Sequence, residues 1–262
     1  MKLTFLGTGT SFGVPQIGCG CAVCRSTDPR DKRTRTGAII ESESGTRVLI
    51  DTPPELRQQM VAANVGSVDA VVFTHAHADH IHGIDDVRAF TMGRASPLPM
   101  YGSADTLNDI ARRVPYILNE HMKPLPGTFK PEARGFPVAA GDVVQVGDIS
   151  LTPIDIPHGR TPVFAWRTGS LGYVTDAKTI PDSAYEALQG VKVLVINALF
   201  RVPHPTHLSL PEALAVASRI GAERTYLTHL THDNFHAQLE AELPTGIAPA
   251  FDGLTVHFEH QE

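Results

Sequence analysis

Cysteine is scarce in this chain: three residues in 262, all within "GCGCAVCR" at 18–25. So few, so close together, cannot build a disulfide framework, and a reducing, cytoplasmic setting is expected. Basic charge is also short. Lys and Arg total 22 against 28 Asp and Glu, a net charge of −6 with a pI near 6.1. That balance argues against a nucleic-acid partner, which is normally met by a basic face. No apolar run approaches the ~18 residues of a transmembrane helix, so no membrane partner is expected. The opening "MKLTFLGTGTSFG" is broken by glycine too early for a signal peptide. Low-complexity tracts and charge blocks are missing, which leaves no marked linker. What remains is a globular composition, 42% hydrophobic and 19% charged. It predicts a single domain over 1–262 with a sizeable core.

Alternating apolar runs predict strands at 3–6, 38–41, 47–51 and 68–74, then at 149–156, 163–167, 171–175, 193–197 and 225–228. Helical spacing falls between them at 54–63, 104–114, 183–188 and 211–220. Ser209 suits the N-cap of the last helix, with Pro211 in its first turn. The halves echo each other: "RVLIDTPPEL…VDAVVFTHAHADH" and "LGYVTDAKTIPDSAYEAL…VKVLVINALF" both run strand, Asp-containing turn, helix, apolar strand. Two β-rich units with helices outside predict a sandwich of sheets flanked by helices. The segment 94–135, with six prolines, fits least and reads as an insertion of lid character.

"FTHAHADHIHG" at 73–83 crowds four histidines and an aspartate into eleven residues. In extended chain, residues two apart share a side, so His75 and His77 can aim at one point. A following helical turn would present Asp79 and His80 as a second set. Imidazole and carboxylate suit a borderline divalent ion such as Zn²⁺ or Mn²⁺. Three further candidate ligands close apolar runs: His158 after "LTPIDIP", Asp176 after "LGYVT" and His229 after "RTYLT". In "GCGCAVCR", three thiols among glycines converge readily on one soft ion. A closed zinc site needs a fourth ligand, for which His232 is the candidate.

"THAHADHIHG" resembles the signature of the metallo-β-lactamase superfamily, and the resemblance runs from "MKLTFLGTGTSFGVP" to "TYLTHLTHD". It implies an α/β (α+β) four-layer αββα sandwich with a dinuclear centre of Zn or Mn. His75, His77 and His158 would surround one ion, and Asp79, His80 and His229 the other, with Asp176 bridging. Asp51 matches a position that orients the ligand loop from behind. The cysteine knuckle resembles that of the PhnP-like cyclic phosphodiesterases, which implies a structural zinc at Cys19, Cys21, Cys24 and His232. PqqB-like proteins carry a similar knuckle. In the phosphodiesterase branch a histidine near His207 serves as general acid for the leaving alkoxide. His207 is placed at a helix start, where the dipole would lower its pKa, and His204 is the alternative.

The function expected is a metal-dependent hydrolase, a phosphodiesterase acting on a small phosphate ester, cyclic by the resemblance, through a metal-activated hydroxide. His207 and Asp79 are its catalytic residues, Arg160 a partner for the substrate phosphate, and a homodimer is left open. The alternatives are a lactone or thioester hydrolase, or a PqqB-like accessory protein with little turnover. "GTGTSFG" lacks the Lys-Ser/Thr ending of a phosphate loop and reads as a tight turn. His82, His121, His236, His257 and His260 are expected in solvent, without a role.

Overall fold

Near-continuous apolar runs become strands buried on both faces. In "RVLI", Val48 and Ile50 face one core and Leu49 another; in "VLVIN", Val193 and Val195 separate in the same way from Leu194 and Ile196. Such runs are expected of strands covered on both sides. The computed structural model describes residues 1–159 and 161–260.

Strands β1 Lys2–Gly7, β2 Gly37–Glu41, β3 Arg47–Ile50, β4 Ala70–Val72, β5 Leu98–Gly102 and β6 Ala133–Pro137 lie in the first sheet. The second holds β7 Val144–Val146, β8 Ile149–His158, β9 Thr161–Thr168, β10 Leu171–Val174, β11 Val193–Asn197, β12 Arg224–Thr228 and β13 Ile247–Pro249. Strand β14, Thr255–His257, returns to the edge of the first sheet beside β1. Each sheet contains a parallel run, β3 to β6 and β10 to β13, next to antiparallel strands. The sequence echo is therefore structural: both copies are strand, helix and parallel strand.

One core lies between the sheets around Phe5, Val72, Trp166 and Tyr173. A second packs the first sheet against helices α1 Leu56–Ala62, α2 Ala78–Ile81, α3 Arg88–Thr91, α4 Ala104–Arg113 and α5 Pro115–Leu118. A third packs the second sheet against α6 Asp182–Ala187, α7 Leu210–Ile220 and α8 His236–Glu242. Helix, sheet, sheet, helix is the four-layer sandwich expected. Among the described residues no helix is long and apolar enough to cross a membrane.

The segment 94–135 departs from its reading as an excursion. It supplies β5 and the start of β6, because Leu98, Met100 and Ala133 are buried while Pro99 and Arg134 stay outside that core. Only 119–129 is exposed throughout.

Candidate metal centre

The carboxyl ends of the parallel strands converge on one place, where ligands of open α/β sheets usually lie. Beyond β4 the chain runs extended to His77, which starts α2. His75 and His77 consequently turn to one side, their ring centroids 4.4 Å apart, and the short helix presents Asp79 and His80 beside them. Gly83 lets this loop close, since a Cβ there would meet the Pro53 carbonyl oxygen at 2.0 Å. Asp51, Asp176 and His229, each just past a strand, adopt left-handed backbone with φ of 62°, 56° and 57°. Such conformations cost about 1–3 kcal/mol each and persist where surrounding structure imposes them.

Asp51 is fully buried behind the cluster. Its Oδ1 accepts the Thr74 N–H at 2.8 Å, and its Oδ2 accepts the Thr74 hydroxyl at 2.8 Å and His80 Nδ1–H at 2.7 Å. Thr74 Oγ1 in turn lies 3.0 Å from His75 Nδ1, and the Thr206 carbonyl accepts His158 Nδ1–H at 2.8 Å. Each of these rings is thereby held with Nε2 turned inwards.

The inward atoms have no hydrogen-bond partners. His75 Nε2, His80 Nε2 and both nitrogens of His229 are buried and orphaned. His80 Nε2 is 3.4 Å from Asp176 Oδ1 and 3.6 Å from Asp79 Oδ2; His229 Nε2 is 3.6 Å from Asp79 Oδ2 and 3.5 Å from Asp176 Oδ2. His75 and His158 Nε2 stand 3.8 and 4.0 Å from Asp176 Oδ2. These gaps are long for hydrogen bonds but match atoms around a common ion, since ligands at ~2.0–2.2 Å in tetrahedral order lie about 3.4 Å apart. Two groups result, His75, His77, His158 and Asp176, and Asp79, His80 and His229, each able to hold an ion.

The electrostatics agree. Burial would raise the Asp176 carboxyl, yet His229 and His80 hold it well below the ordinary carboxylate range. Asp79 is likewise held down by His80 and His229 against its burial. Burial instead pushes Asp51 up and drives His75 well below the usual imidazole value, helped by His80. His80 is the exception among the imidazoles: against its burial, Asp176, Asp79 and Asp51 hold it well above the usual value, so the cluster carries buried negative charge that a cation would answer.

His207 joins the centre, but not from the first helical turn. Helix α7 begins at Leu210 with Ser209 as N-cap, so His207 precedes the cap. Its Nε2 lies 3.1 Å from Asp176 Oδ2. Burial lowers its pKa, with Asp176 opposing, so desolvation rather than the helix dipole is the main cause. Asp176, His207 and His229 also lie close enough to share an ion. A cavity of about 300 Å³ opens onto the centre, lined by His77, Asp79, His158, Asp176, His207 and His229.

Four further residues line that cavity and were missed in the sequence: Ser11, Gly159, Thr161 and Thr206. "GTGTSFG" does turn tightly, with Gly13 at φ 64° and its N–H on the Thr10 carbonyl at 2.8 Å, but the turn also brings Ser11 to the cavity wall. Arg160 lies outside the described residues. His82, His121, His257 and His260 are exposed, as expected. His236 is not: it is buried, with its N–H on Asp31 Oδ1 at 2.7 Å and its ring against Phe251. A larger cleft, of about 650 Å³, lies beside β1 and α1 around Thr34, Gln59 and Asp252, and none of the candidate residues reaches it.

The cysteine knuckle forms a separate cluster. His232 Nδ1 stands 3.3, 3.6 and 3.5 Å from the sulfurs of Cys19, Cys21 and Cys24. The Cys24 N–H, pointed at Cys21 Sγ, lowers that thiol to about 7, while burial pushes the Cys24 thiol up to about 11. Buried Arg33 steadies the His232 loop by donating to the Thr231 and Asn234 carbonyls at 3.3 and 3.1 Å, with Asp31 3.5 Å away. Three sulfurs and one imidazole around a point fit a closed zinc site.

Comparison with known proteins agrees with this architecture. The family described as "Beta-lactamase superfamily domain" matches residues 46–230. A solved diphosphatase from the PhnP family superposes with a TM-score of 0.91 at 37% identity, covering 99% of this chain and 97% of that one. Zn²⁺-bound PqqB from Methylobacterium extorquens shares the fold, with a TM-score of 0.78 at 18% identity over 98% of this chain and 100% of that one. A Porphyromonas gingivalis protein named octanoyltransferase is 39% identical over 97% of this chain and 51% of its own length. Coenzyme PQQ synthesis protein B of Rhodopseudomonas palustris is 31% identical over 47% of this chain and 43% of its own. The chain thus spans about half the length of the curated relatives it matches. Site geometry, fold and these likenesses lead to one conclusion: the chain belongs to the metallo-β-lactamase superfamily, close to PhnP.

Proposed function

We propose that this protein is a metal-dependent hydrolase of small phosphate esters, with phosphodiesters as the preferred class. The observation that carries the reading is Asp176, which belongs to the His75, His77 and His158 group, stands 3.4 and 3.5 Å from the His80 and His229 Nε2 of the other, and is touched by His207 beneath a 300 Å³ cavity. His75, His77 and His158 would hold one divalent ion, Asp79, His80 and His229 a second, and Asp176 both. Such a pair, Zn²⁺ or Mn²⁺, supplies an acidified water and neutralises charge growing on a phosphoryl oxygen. Asp51 keeps His80 in the ligating tautomer and Thr74 does so for His75. Asp79 serves the reaction as a ligand at the cavity wall. His207 donates a proton from Nε2 to the leaving oxygen. Its lowered pKa makes it a ready donor once protonated, and burial shields the transfer from water. Cys19, Cys21, Cys24 and His232 would hold a structural zinc, a thiol set suited to a reducing cytoplasm.

The PhnP-family diphosphatase, similar over nearly the full chain, supports phosphorus chemistry. The small cavity favours a compact ester over a polymer. A second reading, hydrolysis of an acyl thioester by the same residues, draws on the relative named octanoyltransferase. Bis(p-nitrophenyl) phosphate, a dialkyl phosphate, a lactone and an octanoyl thioester, each assayed with Zn²⁺ and Mn²⁺, separate the readings. Phosphodiester turnover is expected to dominate. Turnover of the thioester alone would overturn the first reading, and metal-loaded protein inert on all four would favour a PqqB-like accessory role.

A further inference from the structure

Thr206 touches both flanks of the centre. Its carbonyl accepts His158 Nδ1–H at 2.8 Å, and its Oγ1 stands 2.9 Å from His207 Nδ1. The same hydroxyl is 3.3 Å from His204 Nδ1, and the Thr206 N–H points at that nitrogen from 3.4 Å. A backbone N–H can only donate, so His204 Nδ1 is an acceptor and carries no proton. The hydroxyl can share that lone pair as a second donor, and Oγ1 then has its own lone pairs free for His207 Nδ1–H. The hydroxyl is held in place from the other side too. A Cβ on Gly159 would come within 3.0 Å of Thr206 Cγ2, so the methyl is packed there and the β-branched side chain has little rotameric freedom.

We propose that Thr206 is a positioning residue: its hydroxyl, oriented by His204, fixes His207 with Nε2 towards the reacting phosphate. As hydroxide forms its bond to phosphorus, the P–O bond to the leaving group breaks, and that bond's electron pair passes to the leaving oxygen, which takes the proton from Nε2. The imidazole left behind is the Nδ1–H tautomer, the form that the Thr206 lone pair accepts. One residue thereby orients a candidate ligand through its carbonyl and the candidate acid through its side chain. The inference rests on the acid role proposed for His207.

Thr206→Val removes the hydroxyl and keeps the branched shape and the carbonyl, whereas Thr206→Ser keeps the hydroxyl. Both are compared with His207→Ala and with the Thr206→Val/His207→Ala double variant. The substrates are a dialkyl phosphate and bis(p-nitrophenyl) phosphate, with metal content measured on each sample. Thr206→Val is expected to lower kcat on the alkyl ester by roughly 10–100-fold, the usual weight of an outer-shell partner. The p-nitrophenyl ester should be nearly unaffected, metal content unchanged, Thr206→Ser close to the parent, and the double variant no worse than His207→Ala. A parental kcat for Thr206→Val on the alkyl ester, while His207→Ala retains its leaving-group contrast, overturns this inference alone. Metal loss in Thr206→Val, or additive losses in the double variant, overturns it as well. Absence of that contrast in His207→Ala removes the acid role and this inference together.

Discussion

Asp51 makes three hydrogen bonds, to the Thr74 N–H, the Thr74 hydroxyl and His80 Nδ1–H, and none of its atoms belongs to the two ligand groups. Asp51→Ala should therefore lower metal affinity by roughly 10–100-fold without removing a ligand. It should also cost about 1–3 kcal/mol of stability, since the buried His80 Nδ1–H is left without its acceptor. Chelator-buffered metal titration and urea unfolding measure the two effects; unchanged affinity would separate His80 orientation from metal binding. His207 should behave oppositely. His207→Ala should keep metal and fold but lower kcat on dialkyl phosphates by roughly 10²–10⁴, the weight of a general acid. Loss on p-nitrophenyl esters should be small, because that phenolate leaves without help. Loss of metal in this variant would instead make His207 a ligand alongside Asp176 and His229.

Helix α7 fixes where the His207 loop ends. The Ser209 N–H and hydroxyl both donate to Glu212 Oε2 at 2.7 Å, and Lys178 reaches Glu212 Oε1 at 2.7 Å. Burial alone would raise the Glu212 carboxyl, but Lys178 and Ser209 hold it down to about 2. A folded-state value below the unfolded one means that this stabilisation is present above about pH 4.3. It is lost as the pH falls through the folded value. Glu212→Gln should thus be less stable than the parent at pH 7, with the difference closing towards pH 2; an equal difference at pH 7 and pH 3 in urea unfolding would contradict the assignment. This cap was legible in "HLSLPEA" because capping is local chemistry. The long strands were legible for a similar reason, their apolar period extending over five or more residues, as in "VLVIN". Strands β5 and β6 were hidden by the prolines around them, and β7, β13 and β14 by lengths of three residues each. Backbone sign was hidden too: nothing in "LID", "VTD" or "LTH" announces a positive φ, which tertiary packing imposes. Thr206 meets His158 through its carbonyl, a group that every residue has, and His207 through a hydroxyl that no motif marks, so its part in the centre could be seen only once the chain had folded.

At the scale of the molecule, the knuckle and the open centre differ in what they hold together. The three cysteines reach His232 across 208 to 213 positions of sequence, joining the loop after β1 to the loop after β12. A zinc ion there would close a very long loop, and closed four-ligand sites contribute their binding free energy to folding. The side chains of the open centre are already placed by β3, β4, β8, β10 and β12 and by the Asp51 network, so ions bound there would not be needed to assemble the sandwich. The sequence offered "CGCAVC" and "THLTH" as separate motifs, and only the resemblance joined them; the packing of Val14, Val23 and Phe235 around the thiols brings them together. Mild chelation should accordingly remove the ions that face the cavity and abolish hydrolysis with little change in Tm. Cys21→Ser should do the reverse, lowering Tm and bound zinc by about one equivalent while the ligands of the open centre remain intact. Element analysis and thermal unfolding on the same two samples provide the check. Full zinc content in Cys21→Ser would deny the knuckle its metal, and collapse of the fold on mild chelation would show that the open centre, not the knuckle, carries the structural load.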